Sequence, residues 1–413
     1  MLEDGTTSHV GEGKPLPRMQ ILLLCFARLM EPIAFFAIFP FIAQMVQRNA
    51  HLPDSDIGFY SGVIESLFSV VQVLVLIFWG RLADSIGRKP VIIVTLVGMT
   101  AGTMGYTMAT TIWQMIFFRC VAGVFSGSNL VLRTAISDHS TQETQAVAFS
   151  WFSFAGNLGI FMGPILGGAL ADPVQQYPAV FGGIAFFEAY PYALVGFALT
   201  AVSVVGIVVS CLFLEETLRP EGEEEAGPTS TLPSPGPSVA SPAHQRHKPT
   251  IRELLQAPGV AVVIWVYTHF LLLAFAFTAI LPVVLFTPIE IGGIGFSSFE
   301  ISIYMALQGA SQALWLILVF PFAQHRWGTN GVLRGCALAY PFFFLSFILM
   351  NAFLRMGTPD AIAWAWVIGL ASAIIGPGVS MAFTGVQLAV NDVSPNPHVL
   401  GTLNALAMTT NTH

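Results

Sequence analysis

Charge is what this chain lacks most: 16 Lys and Arg and 23 Asp and Glu in 413 residues, 9% of the total, against 54% hydrophobic residues and 34 Phe. A soluble globule charges about a quarter of its residues, so that balance excludes one and makes lipid much of the solvent. Cysteine is scarce too. Cys25, Cys120, Cys211 and Cys336 lie singly in apolar runs, which excludes a disulfide framework and leaves small buried hydrophobes. No basic run invites nucleic acid, and acids bunched in residues 215–225 weigh heavily in the net charge of -7. The segments between apolar runs hold no nucleophile and base pair, no phosphate loop and no metal-ligand cluster, so an enzyme, a metal site and a cofactor are not expected. Residues 1–18 lack an apolar core followed by a cleavage site, which leaves targeting to the first long apolar run.

Such runs are abundant. A helix needs about 20 mainly apolar residues to cross the hydrocarbon core. On that criterion complete spans are expected near 20–46, 57–79, 90–109, 112–135, 146–171, 190–214, 257–286, 298–320, 331–354 and 361–390, with an eleventh beginning near Val399. An amino terminus in the cytoplasm puts Lys14, Arg18, Arg81, Arg88, Lys89, Arg219, Arg246, Lys248, Arg252 and Arg326 inside, and leaves Arg48 and Arg355 in outer loops. This sidedness sets the expected orientation. Residues 215–256, rich in Glu, Pro, Ser and Gly, cannot bury a core and read as a disordered cytoplasmic linker. His244 and His247 within it read as solvated linker residues and not as a metal pair.

The expected organisation is a cytoplasmic tail 1–19, a six-helix half 20–214, the linker 215–256 and a second half 257–413. Sliding the sequence by 241 residues lays Gly87 on Gly328 and Gln20 on Ala261, the mark of parallel repeats. The same shift sends Leu214 to about position 455, so the second half is expected to be short by roughly 40 residues.

Ionisable groups inside the spans carry most of the functional signal, because each costs at least about 2.5–3.5 kcal/mol at the bilayer centre unless paired or hydrated. Arg28 and Glu31 lie three apart in the first span, share a face and are expected to neutralise each other. Glu65 lies in the second span and Arg119 in the fourth. Two readings follow: a static salt-bridge lattice, or a Glu31 or Glu65 that changes protonation during a cycle. His269, well inside span seven, reads first as a packing residue and second as a coupling site. In the fifth span Gly156, Gly159, Gly163, Pro164, Gly167 and Gly168 form a small-residue stripe that lets a helix pack closely and bend. Gly376-Pro377-Gly378 should bend span ten.

The run Gly80-Arg81-Leu82-Ala83-Asp84-Ser85-Ile86-Gly87-Arg88-Lys89-Pro90 resembles the signature loop between helices 2 and 3 of the major facilitator superfamily. Arg119 with Gly123 is similar to the superfamily's helix 4 pattern. Gly159, Gly163, Pro164, Gly167 and Gly168 resemble its antiporter motif in helix 5. Arg28-Leu29-Met30-Glu31-Pro32 with Phe39-Pro40 is similar to fungal members related to drug:proton antiporters and zinc-induced-facilitator-like carriers, although the plant facilitators' paired cysteines in helix 1 are absent and only Cys25 lies nearby.

The resemblance implies an all-α membrane protein of two six-helix halves. It implies a secondary active transporter, exporting small organic molecules against protons by alternating access. The expected form is a monomer among membrane lipid, with a small-molecule substrate and protons as partners; plasma and vacuolar membranes both fit. It gives Arg119 a cavity-facing role in coupling. It makes Gly80, Asp84, Gly87, Arg88 and Lys89 a conformational latch, with Asp84 set against the amino end of helix 11. Proton-driven uptake and a shortened, non-transporting product are the rival readings.

Overall fold

The computed structural model describes residues 17–50, 53–140, 144–217 and 258–393. Most of the expected tail, linker residues 218–256 with His244 and His247, and the expected eleventh span lie outside the described residues. Among those residues every regular element is helical. The first span is α1 (Arg18–Phe36) followed by α2 (Ile42–Ala50), with turns at Ala37–Phe41 around Pro40, whose ring cannot donate a helical hydrogen bond. Next come α3 (Asp54–Ile86), α4 (Arg88–Thr107), α5 (Ile112–Val124), α6 (Ser128–His139) and α7 (Gln145–Leu170). Three short helices, α8 (Pro173–Gln176), α9 (Pro178–Phe181) and α10 (Ala185–Ala189), lead to α11 (Ala193–Phe213). The second part holds α12 (Val260–Phe286), α13 (Ser298–Leu314), α14 (Phe320–Met356), α15 (Pro359–Ile375) and α16 (Met381–Asp392).

Nine helical stretches among the described residues are long and apolar enough to cross a membrane. One of them, Ser298–Met356, has 59 residues, about 90 Å at 1.5 Å per residue and therefore two crossings. A π-helical turn at Trp315–Val319 disturbs it, and Gly328 breaks it with φ 66° and ψ 173°. Ten crossings result among the described residues, as the hydropathy predicts. The 241-residue shift pairs Gly328 with Gly87, whose φ is 107°. Both glycines separate successive crossings in backbone regions that other residues avoid.

The fourth span is interrupted at Phe125–Gly127, between α5 and α6. The tenth passes through a 3-10 turn at Gly376–Ser380, as its Gly-Pro-Gly sequence predicts.

Two compact units are formed. The first comprises the described residues up to Thr217 together with Ala279–Ser311 and Ser346–Ile374. Its main helix contact explains the glycine stripe. A Cβ on Gly159 would lie 2.9 Å from the Leu29 carbonyl oxygen, and one on Gly163 2.9 Å from that of Ile33. At Gly167 it would run into the Ala37 carbonyl. Both series advance by four residues in the same direction, so α7 lies parallel to α1 with its backbone directly against it. Gly168 faces elsewhere, toward Ser302 and the Ser298 carbonyl of α13, and the Ser298 hydroxyl donates to Gln44 Oε1 at 2.6 Å. In the second unit aromatic packing dominates: Phe270 lies 6.0 Å from Tyr340 and Phe277 4.7 Å from Phe343, centroid to centroid.

Candidate functional site

The intramembrane charges settle into two different arrangements within the first unit. In one, α5 brings Arg119 to α3, where its Nη2 donates to Glu65 Oε2 at 2.6 Å with the side chains 2% and 9% exposed. The guanidinium carbon lies 4.8 Å from the Phe35 ring centre and 4.6 Å from that of Phe68, so two aromatic faces share the cation with the carboxylate. Close approach depends on Gly123, one turn further along α5, where a Cβ would stand 2.8 Å from the Phe68 carbonyl oxygen.

Glu31 is held by neutral donors instead. The Ser128 hydroxyl donates to its Oε2 at 2.5 Å, and the backbone N–H of Asn129 also bonds its carboxylate. Gln72 Nε2 donates to Oε1 at 3.3 Å and to the Ser126 carbonyl at 3.1 Å. Ser128 and Asn129 open α6, so the Glu31 carboxylate caps the second half of the broken fourth span, where the helix dipole favours an anion. A direct Arg28–Glu31 ion pair is not among those formed by the described residues. The reason is packing: Arg28 turns to α7, with its guanidinium 5.2 Å from the Phe152 ring centre and Nη2 3.3 Å from where Gly156 would carry a Cβ. The two still attract through space.

His269 is exposed and stacks on Trp265 at 6.4 Å and 20°.

The signature loop builds a second cluster. Gly87 takes its positive φ where a Cβ would collide with the Glu216 carboxylate. Glu216 accepts from the backbone N–H of Arg88 at 2.9 Å and of Lys89 at 3.0 Å, capping α4. Arg88 Nε reaches Asp138 Oδ2 on α6 at 2.7 Å. Asp84 is 72% exposed, with Arg88 3.8 Å away, and Gly80 faces α6 closely, where a Cβ would stand 3.2 Å from Leu130 Cδ2. The helix 11 end expected to receive Asp84 lies outside the described residues.

Sequence reasoning missed Glu216, which it counted among linker acids, and the donors Gln72 and Ser128. An acid immediately after span six, on the same side as the loop that opens α4, was the legible signal for Glu216. At the opposite ends of the helices, Arg48 donates to the Glu188 carbonyl at 2.6 Å. Asp172 nearby is buried with φ 48°. Burial pushes its carboxyl above the ordinary range, opposed by the Gln175 N–H and the Arg48 charge.

Family comparison decides what this helical arrangement belongs to, since the model of the Major Facilitator Superfamily matches residues 24–412. The chain belongs to that superfamily. It is 40% identical over 392 residues to the efflux pump azaK of Aspergillus niger, covering 94% of this chain and 77% of that one. Protein ZINC INDUCED FACILITATOR 1 of Arabidopsis thaliana is 25% identical over 406 residues, covering 95% and 81%. Among solved structures, a D-xylose-proton symporter superposes with a TM-score of 0.67 at 11% identity, covering 96% of this chain and 88% of the other; at that identity the shared property is the fold. As a superfamily member the chain is a multi-pass integral membrane protein and a secondary transporter of small molecules, not an enzyme.

Proposed function

We propose that the protein exports small organic molecules in exchange for protons, by alternating access between a six-helix half, 20–214, and a second half, 257–413. The observation that carries this reading is the pair of buried carboxylates, Glu31 and Glu65, held inside the spans where an ionisable group without a function is costly. Arg28 and Arg119 supply the compensating positive charge. Export draws support from the efflux pump at 40% identity and from the α7 stripe, which is similar to the antiporter motif. The Lys and Arg distribution supports a cytoplasmic amino terminus and a cytoplasmic linker 215–256; a cysteine introduced at Ser230, outside the described residues, should then resist labelling from outside intact cells.

Coupling sign is tested in proteoliposomes with an imposed pH gradient and ethidium as the probe. Antiport concentrates the dye in the acidic compartment whichever way the protein is inserted, because the proton leaves it as the dye enters. Accumulation in the alkaline compartment would replace export with proton-driven uptake, and accumulation in neither would remove proton coupling for this probe.

A further inference from the structure

Glu31 sits about 20 Å along α1 from Arg18, and its carboxylate ties α1 to two other elements: α6 supplies Ser128 and Asn129, and α3 supplies Gln72. The point it touches is where the fourth span is broken. Around the break at Phe125–Gly127 side chains take over from the helical ladder: Ser126 donates to the Gly123 carbonyl at 2.8 Å, Trp79 Nε1 to that of Val124 at 2.6 Å and Gln72 to that of Ser126 at 3.1 Å. The break is therefore a built feature in which the Gly123, Val124 and Ser126 carbonyls each have a side-chain donor.

We infer that Glu31 and the broken fourth span form one two-position switch, in which the carboxylate fixes α6 and a proton on Glu31 releases it. Ser128 and Gln72 are its positioning residues. The inference rests on the proton-coupled reading above and names the carboxylate that would serve it. A carboxylate accepts from Ser128, Asn129 and Gln72 together. A proton on Oε1 leaves Gln72 Nε2 facing another donor, and one on Oε2 reverses the Ser128 hydroxyl from donor to acceptor. The anion's attraction to the amino end of α6 vanishes at the same time. Freed, α6 can pivot at Gly127, carrying with it Asp138, the partner of Arg88 in the signature loop. The charged groups around Glu31 are few. Arg28, on its own helix, is the charge that acts on it, and Arg133 on α6 acts on Arg28; α3 presents Gln72, and α7 offers the Phe152 ring and Gly156 beside Arg28.

The test places nitroxide labels at Ser137 on α6 and Ala101 on α4, both exposed, in the full chain in lipid nanodiscs, and follows their distance distribution with pH. Two populations should exchange weight with pH in the native background. Glu31→Gln should hold one distribution at every pH, Ser128→Ala should displace the transition, and Ser128→Thr should restore it. A distribution that does not respond to pH, or one that responds equally in Glu31→Gln, overturns the switch. If Glu31→Gln abolishes ethidium accumulation while α6 stays unresponsive to pH in the native protein, coupling stands without the switch. If α6 obeys Glu31 but the Glu31→Gln protein still accumulates dye against its gradient, the switch stands and the coupling assignment to Glu31 falls.

Discussion

Glu31 and Glu65 are the same residue type, at 7% and 8% exposure, in consecutive spans of one compact unit, yet their surroundings give them opposite prospects. Glu65 meets a guanidinium set against two phenyl rings, so emptying its charge would strand Arg119 beside apolar faces. Glu31 meets a hydroxyl, an amide and a backbone N–H. Each of those can be re-satisfied by a small rearrangement, and the one cation nearby has an aromatic partner of its own. Burial alone therefore does not identify a proton site; the cost imposed on the partner when the charge is removed does.

The sharpest way to break this contrast is Glu65→Ala. An uncompensated Arg119 should cost about 3–5 kcal/mol, seen as a fall in thermal midpoint and in folded yield in lipid. Glu65→Leu combined with Arg119→Met should recover much of that loss, whereas a near-neutral Glu65→Ala would erase the difference between the two sites. Next in size is Gly167→Val, which drives a side chain into the Ala37 carbonyl and should cost about 1–3 kcal/mol through overpacking. Because it separates α7 from α1, it should disturb Arg28 and Glu31 while leaving the Glu65–Arg119 pair intact, a distinction readable by cysteine accessibility on each helix.

Much of this was legible in the sequence and some was not, for identifiable reasons. Ten crossings, the break at Gly376-Pro377-Gly378 and the close packing of the α7 stripe follow from hydropathy and from residues that remove side chains or donors. Meeting of Glu65 with Arg119 required only that two opposite charges lie at similar depth in neighbouring spans. Arg28 and Glu31 show the limit of that reasoning. Helical spacing put them on one face, but the space beside Gly156 and the Phe152 ring drew the guanidinium away, and the break in span four offered the carboxylate better donors. Glu216 was hidden for another reason: composition assigned it to the linker, and only the fold brings the end of span six to the start of α4.

Smaller effects sharpen the same lesson at the helix ends. Glu216→Ala removes two backbone partners from the first turn of α4 and should cost about 0.5–2 kcal/mol, the usual loss of a helix cap. Asp84→Asn, at an exposed side chain, should change stability by less than about 0.5 kcal/mol; any larger consequence would appear in transport. Asp172→Asn should be the mildest. Since burial raises the Asp172 carboxyl, the protonated form is favoured by folding. Its contribution is present at low pH and lost as pH rises through the folded value, so the Asn variant should match the native chain in acid and gain on it toward neutral pH. Asn also tolerates the left-handed backbone there. Unfolding curves at several pH values check the sign.

The central claim, that Glu31 and not Glu65 exchanges a proton, is tested most directly by infrared titration of the carboxyl stretching band in the full chain in nanodiscs. The account predicts a band that appears and disappears with pH in the native protein, persists in Glu65→Asp and is missing from folded Glu31→Gln. A titrating band that survives in Glu31→Gln and moves with the Glu65→Asp substitution would contradict it.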